Sequence, residues 1–119
     1  MATNYVNAGE VITYTAGAAI SSGDVLVIGE IMGIALEDIA NGSTGSVQIS
    51  GVFTCAKVAA AVIAQGETVI WDSSVSKFDD NAASPASGDV SLCCVAMEAK
   101  GADTATVKVK LNVGPGTVA

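Results

Sequence analysis

Glu37 and Glu98 occupy matching places in an internal repeat, Ile34-Ala35-Leu36-Glu37 against Val95-Ala96-Met97-Glu98. Pseudo-twofold packing of two such halves could join them as a carboxylate pair sharing one proton, the chemistry of aspartic proteases. The Asp-Thr-Gly or Asp-Ser-Gly signature is missing, and glutamates at strand ends are ordinarily solvated. Asp72, Asp79 and Asp80, with serines around them, could offer oxygens to a cation. Calcium, however, asks for six to eight oxygens held by an ordered loop of the form D-x-[DN]-x-[DN]-G, which the chain lacks. Ser74 and Lys77 reproduce the bare Ser-x-x-Lys spacing of acylating enzymes, but in a polar loop without the remaining parts of such a site. The chemistry of all three is weaker than its bland alternative: solvated carboxylates and a coincidental pair.

What is absent narrows the field further. With no His, the usual neutral-pH base and the commonest metal ligand are missing. With no Arg, there is no bidentate grip on phosphate or carboxylate. None of Lys57, Lys77, Lys100, Lys108 and Lys110 follows a glycine or precedes Ser or Thr, so no phosphate loop exists. A net charge of −7 opposes binding to a nucleic-acid backbone. Cys55, Cys93 and Cys94 are odd in number, two are adjacent, and none forms a C-x-x-C. They read as free buried thiols in a reducing cytoplasm, neither disulfide framework nor zinc site. No catalytic residue, metal or cofactor follows from this sequence.

The elements that would carry any surface are strands. Val and Ile total 25 of 119 residues against 4 Leu, with 9 Thr and 13 Gly, a bias toward β-branched side chains separated by turns. Val107-Lys108-Val109-Lys110-Leu111 and Val47-Gln48-Ile49-Ser50 alternate with period two. Val25-Leu26-Val27-Ile28 and Thr68-Val69-Ile70-Trp71 are near-continuous apolar runs, the pattern of strands buried on both faces. Asn41-Gly42-Ser43 reads as a turn, one of several Gly-marked breaks. The pattern predicts around eight short strands, with at most one short helix near 56–64, where alanines end at Gln65-Gly66. The longest apolar run, Val58 to Ala64, is far short of the ~20 residues of a membrane span. The first eight residues have neither the basic head nor the apolar stretch of a signal peptide.

The chain repeats itself. Ala18 to Val27 aligns with Ala61 to Ile70, Val11-Ile12-Thr13-Tyr14 with Val52-Phe53-Thr54-Cys55, and Val47-Gln48-Ile49 with Val107-Lys108-Val109. These matches keep one order, so we expect an N-terminal arm over 1–8, a single β domain over 9–113, and a tail over 114–119. The pseudo-repeats run from about 9 to 50 and 51 to 113, with a polar insertion at about 72–89 that reads as a small hairpin. Two copies are too few for a solenoid, so the halves should close on each other as an all-β, small barrel-like or β-tulip-like single domain.

Several segments together resemble small tailed-phage capsid cement proteins. They are Asn4-Tyr5-Val6 with Gly9-Glu10, Ser22-Gly23-Asp24-Val25-Leu26-Val27, Gly33-Ile34-Ala35-Leu36 and Gly51-Val52-Phe53. Ala64-Gln65-Gly66-Glu67-Thr68-Val69-Ile70-Trp71-Asp72 and Ala105 to Leu111 complete the set. The resemblance implies a non-enzymatic decoration protein on the outer surface of a phage head, made in the host cytoplasm. Its implied partners are the major capsid protein and its own copies, as a homotrimer; neither nucleic acid nor membrane is among them. Relatives are sometimes labelled recombinases, which the missing phosphate loop and missing Arg oppose. Asn4, Tyr5 and Val6, in an arm with one aromatic anchor, are the candidate capsid contact. The alternative is a ligand- or glycan-binding β module for host attachment, with Trp71 or Tyr14 as the stacking ring.

Overall fold

The computed structural model describes residues 9–81 and 84–119. Ten strands account for its regular structure, more than the eight expected, and no helix occurs among the described residues. β1 (Val11–Thr15), β2 (Val25–Ile28), β3 (Ile31–Ala35) and β4 (Thr44–Gln48) form one antiparallel sheet in the order β1-β4-β3-β2. β5 (Val52–Ala56), β6 (Thr68–Asp72), β7 (Lys77–Asp79), β8 (Val90–Ala96) and β9 (Thr106–Lys110) form the second, ordered β5-β9-β8-β6-β7. β10 (Thr117–Val118) pairs with β8. The second sheet curls until its ends meet: Phe78 of β7 bridges Lys57 in parallel register, and the Val58 amide donates to the Phe78 carbonyl (2.8 Å).

The two sheets share one plan, with β7 and β10 added to the second. Ile20 and Ile39 exchange two backbone hydrogen bonds (2.8 Å each), as do Ile63 and Lys100. The Ala35 amide donates to the Asp24 carbonyl (3.0 Å), and the Ala96 amide to the Glu67 carbonyl (2.8 Å). One sequence match needs correction. Val47 stands opposite Ala35 and Val109 opposite Ala96, so Val47 corresponds to Val109, two places beyond Val107. A shift of two leaves the in-and-out alternation of a strand unchanged, so hydrophobic pattern alone cannot register it.

Residues 56–64 hold no helix, within the expected limit of at most one: they leave β5, turn where the Ala61 amide donates to the Val58 carbonyl (3.0 Å), and run on toward β6. Ala61 and Ile63 are buried while Val62 between them is exposed, a period of two that packing against the sheet enforces. A helix of that length has too little intrinsic stability to compete. The insertion does form a hairpin, with Asp72 opposite Lys77 and Trp71 opposite Phe78. β2 departs from its expected burial on both faces: all four residues are half-buried, because the strand ends its sheet.

The main core gathers both halves, with Met32 and Ile34 packed among Cys55, Val69, Trp71, Phe78 and Val109. Asn112 fastens the halves together. Its side-chain amide donates to the carbonyls of Met32 (2.7 Å) and Ile49 (2.5 Å), and its Oδ1 accepts from the Met32 amide (2.9 Å). The residue sits at φ +54°, a region that Asn enters more readily than most side chains.

Candidate functional site

The groups with chemical potential are engaged in holding the fold. Glu37 Oε2 accepts from the Ser46 amide and Glu98 Oε1 from the Lys108 amide, both at 3.1 Å. Their equivalence is real, but each clasps its own half rather than the other. Asp72 Oδ1 accepts from the amide (3.0 Å) and hydroxyl (2.6 Å) of Ser74, which orders the hairpin turn and commits that hydroxyl away from Lys77. Asp79 Oδ1 accepts from the Asp80 amide (2.8 Å). Among the described residues no group of three His, Cys, Asp or Glu side chains could hold a metal.

Two buried charged side chains escaped the sequence reading. Lys57 is 1% exposed, and its Nζ donates to the carbonyls of Val58 (2.7 Å), Ala59 (3.2 Å) and Thr104 (3.2 Å). Asp89, also buried, accepts from the amide (3.0 Å) and hydroxyl (3.1 Å) of Ser73 and from the Ala86 amide (2.9 Å). The Ala86 amide, with the Ser73 amide and hydroxyl, holds its carboxyl below the usual range against the opposing pull of burial. A lone Lys before an apolar run, or an Asp after a glycine, carries no sequence signal of burial.

The three cysteines are free and buried. Burial pushes the Cys55 thiol up to about 11. The hydrogen bond between adjacent thiols draws Cys93 down to about 7 and pushes Cys94 up, so Cys94 keeps its proton. Trp71 is 6% exposed and meets Phe78 edge-on, with ring centroids 5.0 Å apart. It is therefore a core ring rather than a stacking platform. Tyr14 is half-buried in the smaller cluster of the first half.

What the surface offers is apolar area and open strand edges. Val11, Val52, Val62, Leu92 and Val118 are among the exposed large apolar side chains. Leu92, at φ +66°, stands where the β6–β8 register shifts. The outer edges of β1 and β2 pair with no described strand. Along the β2 edge runs a cavity of about 440 Å³, between Ile20, Val25 and Leu26 on one side and Thr54, Ala56 and Trp71 on the other. Asn4, Tyr5 and Val6, the arm residues singled out from the sequence, lie outside the described residues.

Among the described residues, open strand edges and exposed apolar side chains are surface available for contact. Among curated proteins, none matches the chain. A family model described as phage cement protein matches residues 6–111, nearly all of the two-sheet unit and its closing strands, and the chain belongs to that family.

Proposed function

We propose that this chain, a member of the phage cement protein family, binds the outer surface of a phage head, contacts the major capsid protein, and braces that lattice as a homotrimer. The observation that carries this reading is the family match over residues 6–111, supported by exposed apolar side chains and by the edges of β1 and β2, which pair with no described strand. Symmetry supplies the area that a chain of this size cannot offer alone, because each contact of a threefold ring is heterologous and the ring closes. The acidic balance of −7 keeps decorated particles apart in solution. The arm bearing Asn4, Tyr5 and Val6 is the proposed contact element.

The test mixes purified protein with undecorated heads and measures bound copies per particle and the temperature at which heads rupture. Saturable binding at a fixed stoichiometry, with a raised rupture temperature, is the expected result. Absence of saturable binding refutes the reading. Removal of residues 1–8 in the same assay examines the arm, and unchanged binding removes it from the mechanism.

A further inference from the structure

The two halves differ in one respect that the repeat makes measurable. In the second half, Phe78 of β7 lies fully buried against Trp71, and the main core around it also buries Cys55, Ile63 and Val69. The corresponding residues of the first half, taken from the shared hydrogen-bond plan, are Ile28, Tyr14, Ile20 and Leu26. All four are only half-buried. No described strand in the first half does what β7 does for the second.

The vacancy has a defined shape. The Asp24 carbonyl is taken by the Ala35 amide, so alternation along the antiparallel ladder turns the backbone groups of Val25 and Val27 outward. Val27 corresponds to Ile70, which stands opposite Asp79 of β7. The cavity of about 440 Å³ opens along this edge, beside Ile20 and Leu26. A strand entering here would run antiparallel to β2 and parallel to β1, as β7 runs antiparallel to β6 and bridges Lys57 in parallel. One aromatic ring on that strand would cover the open cluster as Phe78 covers its own.

We propose that this slot receives residues 1–8 of a second copy of the chain, with Tyr5 in the place that Phe78 takes in the other half. The arm supplies the one aromatic outside the described fold, flanked as Asn4-Tyr5-Val6 where β7 reads Lys77-Phe78-Asp79. Direction excludes the chain's own arm. Phe78 is level with Lys57, so Tyr5 would be level with Ala16, and Val6 one step beyond. Val6 would then lie about 20 Å along the strand axis from Val11, at ~3.3 Å per position. Five Cα steps join those residues and span at most about 18 Å, before any sideways displacement or reversal. An arm donated from copy to copy is a heterologous contact, which closes a ring when the rotation between copies divides the full circle. This rests on the self-association proposed above and gives it a surface. Because strand side chains alternate, Tyr5 facing the cluster of Leu26 and Ile28 leaves Val6 on the face of Val25 and Val27, which pack against the main core.

The experiment uses the isolated full-length protein, so its failure is separate from failure of head binding. Solution mass is measured for the parent, for Tyr5→Ala, and for Val27→Pro, which removes an outward amide while sparing the ladder to β3. A multimer that falls to a single chain in both variants is expected, with retained melting cooperativity showing that the fold persists. A third variant, carrying both Tyr5→Cys and Ile28→Cys, is oxidised mildly and run without reductant; cross-links between chains are expected. A Tyr5→Ala protein of unchanged mass, cross-links confined to single chains, or no cross-link at all overturns the proposal.

Discussion

Phe78→Ala is the perturbation that weighs the lid of the second half. The ring is 0% exposed, edge-on to Trp71 at 5.0 Å, on a strand of only three residues. Truncating a buried Phe costs about 3–5 kcal/mol through lost transfer energy and the cavity left behind. The loss of the ring contact with Trp71 places this case toward the upper end. For a domain of this size, each kcal/mol lowers the melting temperature by roughly 4 °C, so a fall of about 12–20 °C is expected. The internal comparison is Ile28→Ala, at the place matching Trp71, made in the Tyr5→Ala background so that no neighbour covers it. A half-buried side chain forfeits less transfer energy, about 1–2 kcal/mol. Differential scanning calorimetry reads both. A Phe78→Ala protein melting within 4 °C of the parent would refute the view that β7 closes this core, and with it the meaning of the vacancy opposite.

Lys57→Met should destabilise by about 2–3 kcal/mol in urea titration, since three buried carbonyls lose a charged donor. Asn112→Ala should cost about 2 kcal/mol, because the links to Met32 and Ile49 go together. Asp89 gives stability that is present above the ordinary carboxylate value of 3.8 and lost as pH falls through its lowered folded value. Asp89→Asn should therefore flatten the acid limb of stability below about pH 4. The three thiols should be silent to a thiol reagent at pH 8 in the native protein and should all react on unfolding, with Cys55 further protected by a value near 11.

The strands and the repeat were legible in the sequence because both write themselves into hydrophobic alternation. Val107 to Leu111 shows its inward face without any knowledge of its neighbours, and Ala18 to Val27 finds its copy forty-three residues on. What alternation cannot carry is register, as the two-place shift between Val107 and Val109 shows, or which strand ends a sheet. β2 and β6 look alike as apolar runs, yet β6 is covered by β7 and β2 by no described strand. The short alanine run left helix and coil both open for a related reason: helix propensity is a local preference, and the sheet that decides against it is not local. Lys57 and Asn112 were invisible because their value lies in carbonyls brought from distant segments. The slot could have been suspected from one fact in the sequence, that the hairpin insertion occurs in a single copy of the repeat.

That unequal insertion gives the proposed association its physical reason. Two identical halves would each present the same open edge, and edge-to-edge pairing of such surfaces has no natural end. Here β7 closes one of them within the chain, while the edge beside Val27 and that of β1 pair with no described strand. In the proposed exchange the five Cα steps from Val6 to Val11 fall short of the chain's own slot along β7's course, which assigns the apolar cluster at Tyr14, Ile20, Leu26 and Ile28 to a neighbour. On the proposed arm exchange, one donor and one acceptor per chain make a head-to-tail contact, which closes into a ring when the rotation between copies divides the full circle. A shell brace needs that economy, because its contacts must be numerous on the lattice and self-limiting off it.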